Sequence, residues 1–162
     1  MSRYSTIPQG AKVDNITTNL NSSGQIQVIK TYTYHYENDF SGGLQAFNGA
    51  LPRATTIPAG TLATGTELII RVNLSVTASN VLGFIGFRKH IKINGVSMIS
   101  EGLTATLGDG TQEKVLTYRY TLQPIDDTQD LIIDTGVTNI SSSGGGSLYL
   151  TEDRINLFGT LK

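Results

Sequence analysis

Apolar residues in this chain return at every second position, and rarely at every third or fourth. From Glu67 to Ala78 the alternation is complete: Leu68, Ile70, Val72, Leu74, Val76 and Ala78 fall on one side, and Ile69, Arg71, Asn73, Ser75 and Thr77 on the other. That period predicts a strand with one buried and one largely wet face, as in an antiparallel sheet. Gln25 to Tyr36 alternates in the same way, with Ile26, Val28, Tyr32, Tyr34 and Tyr36 on one face and Lys30 interrupting them. A strand of that length reaches about 40 Å at the usual rise per residue. Few globular strands are so long, so its first half is expected to pair outside the domain that holds its second half.

Other strands follow from shorter runs. Val81 to Phe87 is apolar, and Ile91 and Ile93 lead into Asn94-Gly95, followed by Val96 and Met98. Asn-Gly between apolar runs predicts a hairpin, because a type I′ turn needs positive φ at both central residues. Leu103 to Leu107 and Glu113 to Leu122 flank Gly108-Asp109-Gly110 and read as a second hairpin, with Leu116, Tyr118, Tyr120 and Leu122 on its apolar face. Pro52 and Pro58 mark 44–58 as irregular or as a sheet edge. Leu131 to Ile133 and Val137 to Ile140 are short strands, and Ser141 to Ser147 is a loop. Leu148 to Leu161 reads as one strand bent around Thr151 to Arg154. No run of ten or more residues carries a helical period. About eight strands in one domain predict an all-β antiparallel sandwich, with a jelly roll as the first topology. An immunoglobulin-like sandwich is the second, although the chain lacks Trp and Cys.

Ahead of these strands stands a polar stretch rich in Asn, Thr and Ser, in which Ile7, Val13, Ile16 and Leu20 are the apolar positions. Spacings of 3 and 4 hint at a helix, but Asn15, Thr17, Thr18, Asn19 and Asn21 compete for helical backbone bonds. An extended or irregular arm is predicted instead. The entropy of ordering it exceeds what those four side chains return on burial, so a partner surface is expected to hold it. Residues 1–30 are therefore read as an anchoring arm and 31–162 as the head domain. A disordered tail is the plainer alternative.

Composition narrows the function further. The net charge is −1 and only 15% of residues are charged, which gives no electrostatic reason to bind nucleic acid or an anionic membrane. With no Cys there is no disulfide, thiolate metal site or cysteine nucleophile. The opening MSRYSTIPQG lacks the apolar core of a signal peptide, so assembly in a cytosol is expected. His35 and His90 lie in no metal-binding or triad spacing. His90 belongs to a basic run, Arg88 to Lys92, read as a charged and solvated edge. Asp126, Asp127, Asp130 and Asp134 could gather oxygen ligands for Ca²⁺, but their spacing fits no EF-hand and turn positions account for them. A nucleophile elbow and a phosphate loop are both missing, so neither an enzyme nor a cofactor or metal is expected. The tyrosines Tyr32, Tyr34, Tyr36, Tyr118 and Tyr120 either cap the core, line a subunit interface or stack on sugar rings. The interface reading is taken, and a carbohydrate-binding module on the Tyr faces is the alternative function.

The stretch IPQGAKVDNITTNLNSSGQIQVIKTYTY, with the Asn/Thr/Ser/Gly-rich, Cys-free remainder, resembles bacteriophage virion accessory proteins of the fibre-head, tail-tip or capsid-decoration type. The likeness is one of overall style and carries over no functional residue. It implies a structural protein that docks on a virion through its arm, a β-sandwich head that forms homo-oligomers, and a trimer as the favoured state. Its partners would be other virion proteins and host-surface glycans. Host attachment would fall to distal loops, for which Glu37 to Gly43 and Ser141 to Ser147 are the candidates.

Overall fold

The computed structural model describes the backbone of residues 12–20, 26–39, 45–47, 50–79, 84–106, 111–143 and 147–162. Side chains are described for 34–39, 52–77, 86–104, 111–138 and 151–162. In chain order the strands are β1 (Lys12–Leu20), β2 (Ile26–Asp39), β3 (Gln45–Phe47), β4 (Ala50–Leu51), β5 (Ala54–Ile57), β6 (Glu67–Ser79) and β7 (Phe84–Ile93). They continue with β8 (Val96–Thr106), β9 (Thr111–Thr121), β10 (Leu131–Asp134), β11 (Val137–Ser143) and β12 (Ser147–Thr160). A single 3-10 turn, Pro124–Asp127, is the only helical element among the described residues.

The strands form two antiparallel sheets. One runs β1-β2-β12-β6-β9, with β3 alongside the first part of β12. The other runs β4-β11-β7-β10-β5, and β8 lies along β7. The short strands β10 and β11 occupy one edge of β7 end to end, and β5 and β4 pair with them in turn. Taking each of those couples as one interrupted strand leaves eight after β1 and β3 are set aside. Their orders are then first-eighth-third-sixth in one sheet and second-seventh-fourth-fifth in the other. This is a jelly roll, as the sequence pattern predicts, and its crossings between sheets exclude the immunoglobulin-like alternative.

Alternation places the core. Leu68, Ile70 and Val72 of β6 and Leu157 of β12 are 0% exposed, and Ile91 and Ile133 of the other sheet meet them. On the opposite face of β6, Arg71 is exposed, and its cross-strand neighbour Thr117 on β9 is exposed too. At Asn94-Gly95 the φ values are 48° and 83°, so the β7–β8 hairpin turns as its dipeptide requires. Gly159 has its role at the end of the sandwich. A Cβ there would stand 3.2 Å from Leu62 Cδ2, so the missing side chain makes room for Leu62, which is 4% exposed.

Two expectations need correction. The segments flanking Gly108-Asp109-Gly110 are not a hairpin, because β8 pairs with β7 and β9 with β6. The connection passes from one sheet to the other, where Gln112 Nε2 donates to the Thr104 carbonyl at 3.1 Å and Lys114 pairs with Glu101. Nor is Arg88 to Lys92 a solvated edge. β7 is interior to its sheet, Lys89 is 0% exposed and His90 9%, and Arg88 is the exposed residue of the run.

Replacing Ile70 by Ala should cost about 2–5 kcal/mol of stability in urea unfolding. Thr117→Ala, on the wet face, should change it by no more than about 0.5 kcal/mol. Equal effects would contradict the assignment of faces.

Candidate functional site: the β1–β2 ribbon

The feature that sets this sandwich apart is a strand longer than its sheet. β2 pairs with β12 from Thr33, opposite Thr160, to Asp39, opposite Arg154. Among the described residues its other half pairs only with β1, from Leu20 opposite Ile26 to Lys12 opposite Thr33. The two partners divide β2 almost without overlap, meeting at Thr33. β12 cannot follow further, because Leu161 turns aside to bridge Leu62 and Lys162 N donates to the Thr61 carbonyl. Residues 26–32 and β1 therefore continue past the end of the sandwich as a two-stranded ribbon, about 23 Å long at the usual rise.

Long alternation in β2 favours an extended backbone over its whole length, and an extended backbone needs a neighbouring strand for its N–H and C=O groups. β1 supplies one side, with a register shift between Val13 and Asn15. Among the described residues no strand pairs with 26–32 on the side away from β1, and none pairs with β1 on its outer side. Both edges of the ribbon thus offer backbone groups to a further chain.

Of the arm residues singled out in the sequence, Val13, Ile16 and Leu20 lie on β1, while Ile7 lies outside the described residues. The sequence reading asks for an external strand to hold this stretch; the structure pairs it first with the chain's own β2. β2 also runs unbroken through position 30, where the arm was expected to end.

Four of the five tyrosines pack on the core. Tyr34 is 2% exposed within the main core cluster, and Tyr36, Tyr118 and Tyr120 lie against it. Core packing, the first of the three readings, accounts for Tyr34, while Tyr36, Tyr118 and Tyr120 pack on the core with part of each ring still exposed. The side chain of Tyr32 lies outside the described residues. Burial, reinforced by neighbouring Tyr36, pushes the Tyr34 hydroxyl up to about 12. Burial and a hydrogen bond to the Asp126 carboxylate push Tyr120 up to about 12 as well.

The four acids are held apart by separate tasks. Asp126 accepts from Gln123 N at 2.7 Å and caps the 3-10 turn. Asp127 pairs with Lys162 at 3.0 Å, which lowers its carboxyl below the ordinary range. Asp130 Oδ1 accepts from Ala59 N at 2.9 Å, and Asp134 Oδ1 accepts from Gly136 N and meets His90 Nε2 at 3.1 Å. No metal-binding cluster of three such residues exists among the described residues. His35 stacks on Phe158 across β2 and β12, centroids 4.8 Å apart, on the outer face of the sheet. Among the described residues no helix is long and apolar enough to cross a membrane.

The ends of the sandwich differ. At the ribbon end the 58–66 connection and the acid-bearing turn are tied by backbone bonds, including Gly60 N to the Asp126 carbonyl and Gly65 N to the Leu122 carbonyl. At the other end lie the termini of β6, β7, β8, β9, β11 and β12, where Ser147 faces Ser79, Thr77 faces Thr111, and Phe84 faces both Thr106 and Ser143. Of the two candidate attachment loops, 37–39 is the end of β2 and 141–143 the end of β11; 40–43 and 144–146 lie outside the described residues.

No family model matches this sequence, and no curated protein matches it. Among solved structures it is similar to dimeric latent PorU of Porphyromonas gingivalis, at 13% identity and a TM-score of 0.50, over 81% of this chain and 13% of PorU. It is also similar to the VP2 subviral particle of infectious bursal disease virus (13% identity, TM-score 0.48, 86% of this chain and 36% of VP2). A family 35 carbohydrate-binding module of Clostridium thermocellum is a third (12%, 0.37, 76% of this chain and 90% of that chain). The neighbours thus include a protein of a subviral particle and a carbohydrate-binding module. At such identities the likeness is one of fold.

Because the folded state keeps Tyr34 and Tyr120 protonated up to about 12, against an ordinary tyrosine value near 10, their contribution to stability is complete below about pH 10 and is lost as the pH rises towards 12. Tyrosinate absorbance should therefore show a group of rings that ionises late, together with alkaline unfolding. Tyr34→Phe should shrink that group and raise the alkaline midpoint. Ionisation of all rings near pH 10 without unfolding would contradict this.

Proposed function

We propose that this chain is a structural component of a bacteriophage particle, anchored through its N-terminal ribbon and projecting a jelly-roll head. The observation that carries the reading is the β1–β2 ribbon, which leaves the sandwich at one end with both strand edges unpaired among the described residues. A soluble monomer has no use for such edges and is exposed to aggregation by them, whereas an assembling protein uses them to add strands to a neighbour. Jelly rolls serve widely in viral capsids and in lectins, which supports the assignment by analogy of fold alone.

Polarity supports it as well. The ribbon leaves from one end, and the strand termini that flank 80–83, 107–110 and 144–146 gather at the other. In this reading the first end meets the particle, on capsid or tail, and the second faces the host surface. The head is a homo-oligomer, with the trimer adopted from the resemblance to fibre heads and decoration proteins. No catalysis is assigned, since the histidines and the four acids hold turns and strands together. The carbohydrate alternative drew its platform from tyrosine faces, and of those rings Tyr34 is buried and Tyr36, Tyr118 and Tyr120 are partly buried against the core. Any contact with host glycan would therefore fall to the distal loops.

Produced in infected cells, the full chain should sediment with particles on a density gradient, while a variant lacking residues 2–25 should keep its sheet circular dichroism and stay with free protein. If that variant is incorporated as fully as the full chain, the anchoring role is wrong.

A further inference from the structure

The interior holds one arrangement that neither the core nor the ribbon requires. Lys89 of β7 and Asp153 of β12 belong to different sheets, are each 0% exposed, and place Nζ 2.7 Å from Oδ1. Lys89 Nζ also donates to the Thr135 carbonyl. Beyond the carboxyl group, Arg53 Nε stands 3.5 Å from Oδ2, and 13% of the Arg53 side chain reaches solvent. An ion pair so deep is seldom a source of stability, because withdrawing both charges from water offsets most of their attraction. A primary amine and a carboxyl group held in contact between two rigid sheets are, however, well placed to react.

We propose that Lys89 and Asp153 condense into an isopeptide bond that joins the two sheets covalently. Burial is the largest influence on both groups, pushing the Lys89 amine down and the Asp153 carboxyl up, against the Coulombic pull of their pairing. Passage of one proton from the ammonium to Oδ1 then gives a neutral amine facing a neutral acid, the forms that condensation needs. Nζ attacks Cγ, and negative charge develops on Oδ2, beside the Arg53 guanidinium. A second proton moves from nitrogen to the Oδ1 hydroxyl, the Cγ–Oδ1 bond breaks, and Oδ1 departs as water. The Nζ–Cγ bond remains. Nitrogen keeps one hydrogen, which it donates to the Thr135 carbonyl. Ammonium and carboxylate become amide and water, with nothing oxidised or reduced, and two charges leave the interior.

Arg53 is thereby assigned a catalytic role, stabilising the oxyanion, and its exposed edge is the exit for water. The bond would join positions 64 residues apart in a chain with no cysteine, restraining the unfolded state as a disulfide does. This inference stands apart from the particle role, and either can fail alone.

Intact mass spectrometry of the folded, purified full chain tests it. The expected mass is that of the sequence less one water, and a protease digest should yield a branched peptide containing Lys89 and Asp153. Lys89→Arg and Asp153→Ala should each restore the full mass, and Arg53→Met should leave a mixture in which the uncrosslinked form converts slowly. If either of the first two variants fails to fold, the branched peptide of the wild-type chain still decides the matter. A folded wild-type chain of unaltered mass would overturn the proposal, as would loss of water that persists in Lys89→Arg.

Discussion

An extended backbone has to find partners for its N–H and C=O groups along both edges, and β2 is longer than the sheet that could supply them. From Thr33 onward it is flanked by β12; before Thr33 its only neighbour among the described residues is β1. The jelly roll ends where Leu161 turns away to meet Leu62, so a two-stranded ribbon extends beyond the packed domain. Hairpins of two strands are marginal in water, since they bury little and leave half of their edge groups open. The economy of the whole molecule follows from this imbalance: a well-packed sandwich with an appendage that gains most from a neighbour.

The sandwich itself is a conventional solution to alternation. β6 presents its apolar side to the core and is paired by β12 from Ile69 to Ser79 on one edge and by β9 from Glu67 to Thr77 on the other. The opposing sheet closes over it with Ile57, Ile91, Ile93, Leu131 and Ile133. Polar groups enter this interior at Lys89 and Asp153, where the two sheets are linked by charge and not by apolar contact. The ribbon and the buried pair are two places where the described chain departs from what packing alone would select.

Much of this was legible in the residues. Strict alternation fixed β6 and the later part of β2, Asn94-Gly95 gave the β7–β8 turn, and strand number with the absence of helical periods gave the fold class. What failed did so for physical reasons. Gly108-Asp109-Gly110 announces a reversal of the chain, but turn chemistry does not say whether the reversed strand rejoins the same sheet or crosses to the other. Arg88 to Lys92 looks solvated when read as a block of charge. Read by parity, Phe87, Lys89, Ile91 and Ile93 share a face, so the burial of Lys89 had a signal that the charge obscured. The tyrosines on the apolar faces of β2 and β9 carried the same message, since a face that alternates with polar residues points to the core before it points to a partner. That β1 would turn back upon β2 was beyond local reading, because Asn- and Thr-rich strands specify register only weakly.

The central claim is that the ribbon is completed by other chains, and hydrogen exchange on the assembled and the dissociated protein tests it most directly. The account predicts that assembly slows amide exchange in 12–20 and 26–32 while β6 and β12, already paired within the sandwich, exchange at unchanged rates. Ribbon amides that exchange equally fast in both states, or that are already as protected as β6 in the dissociated monomer, would contradict it.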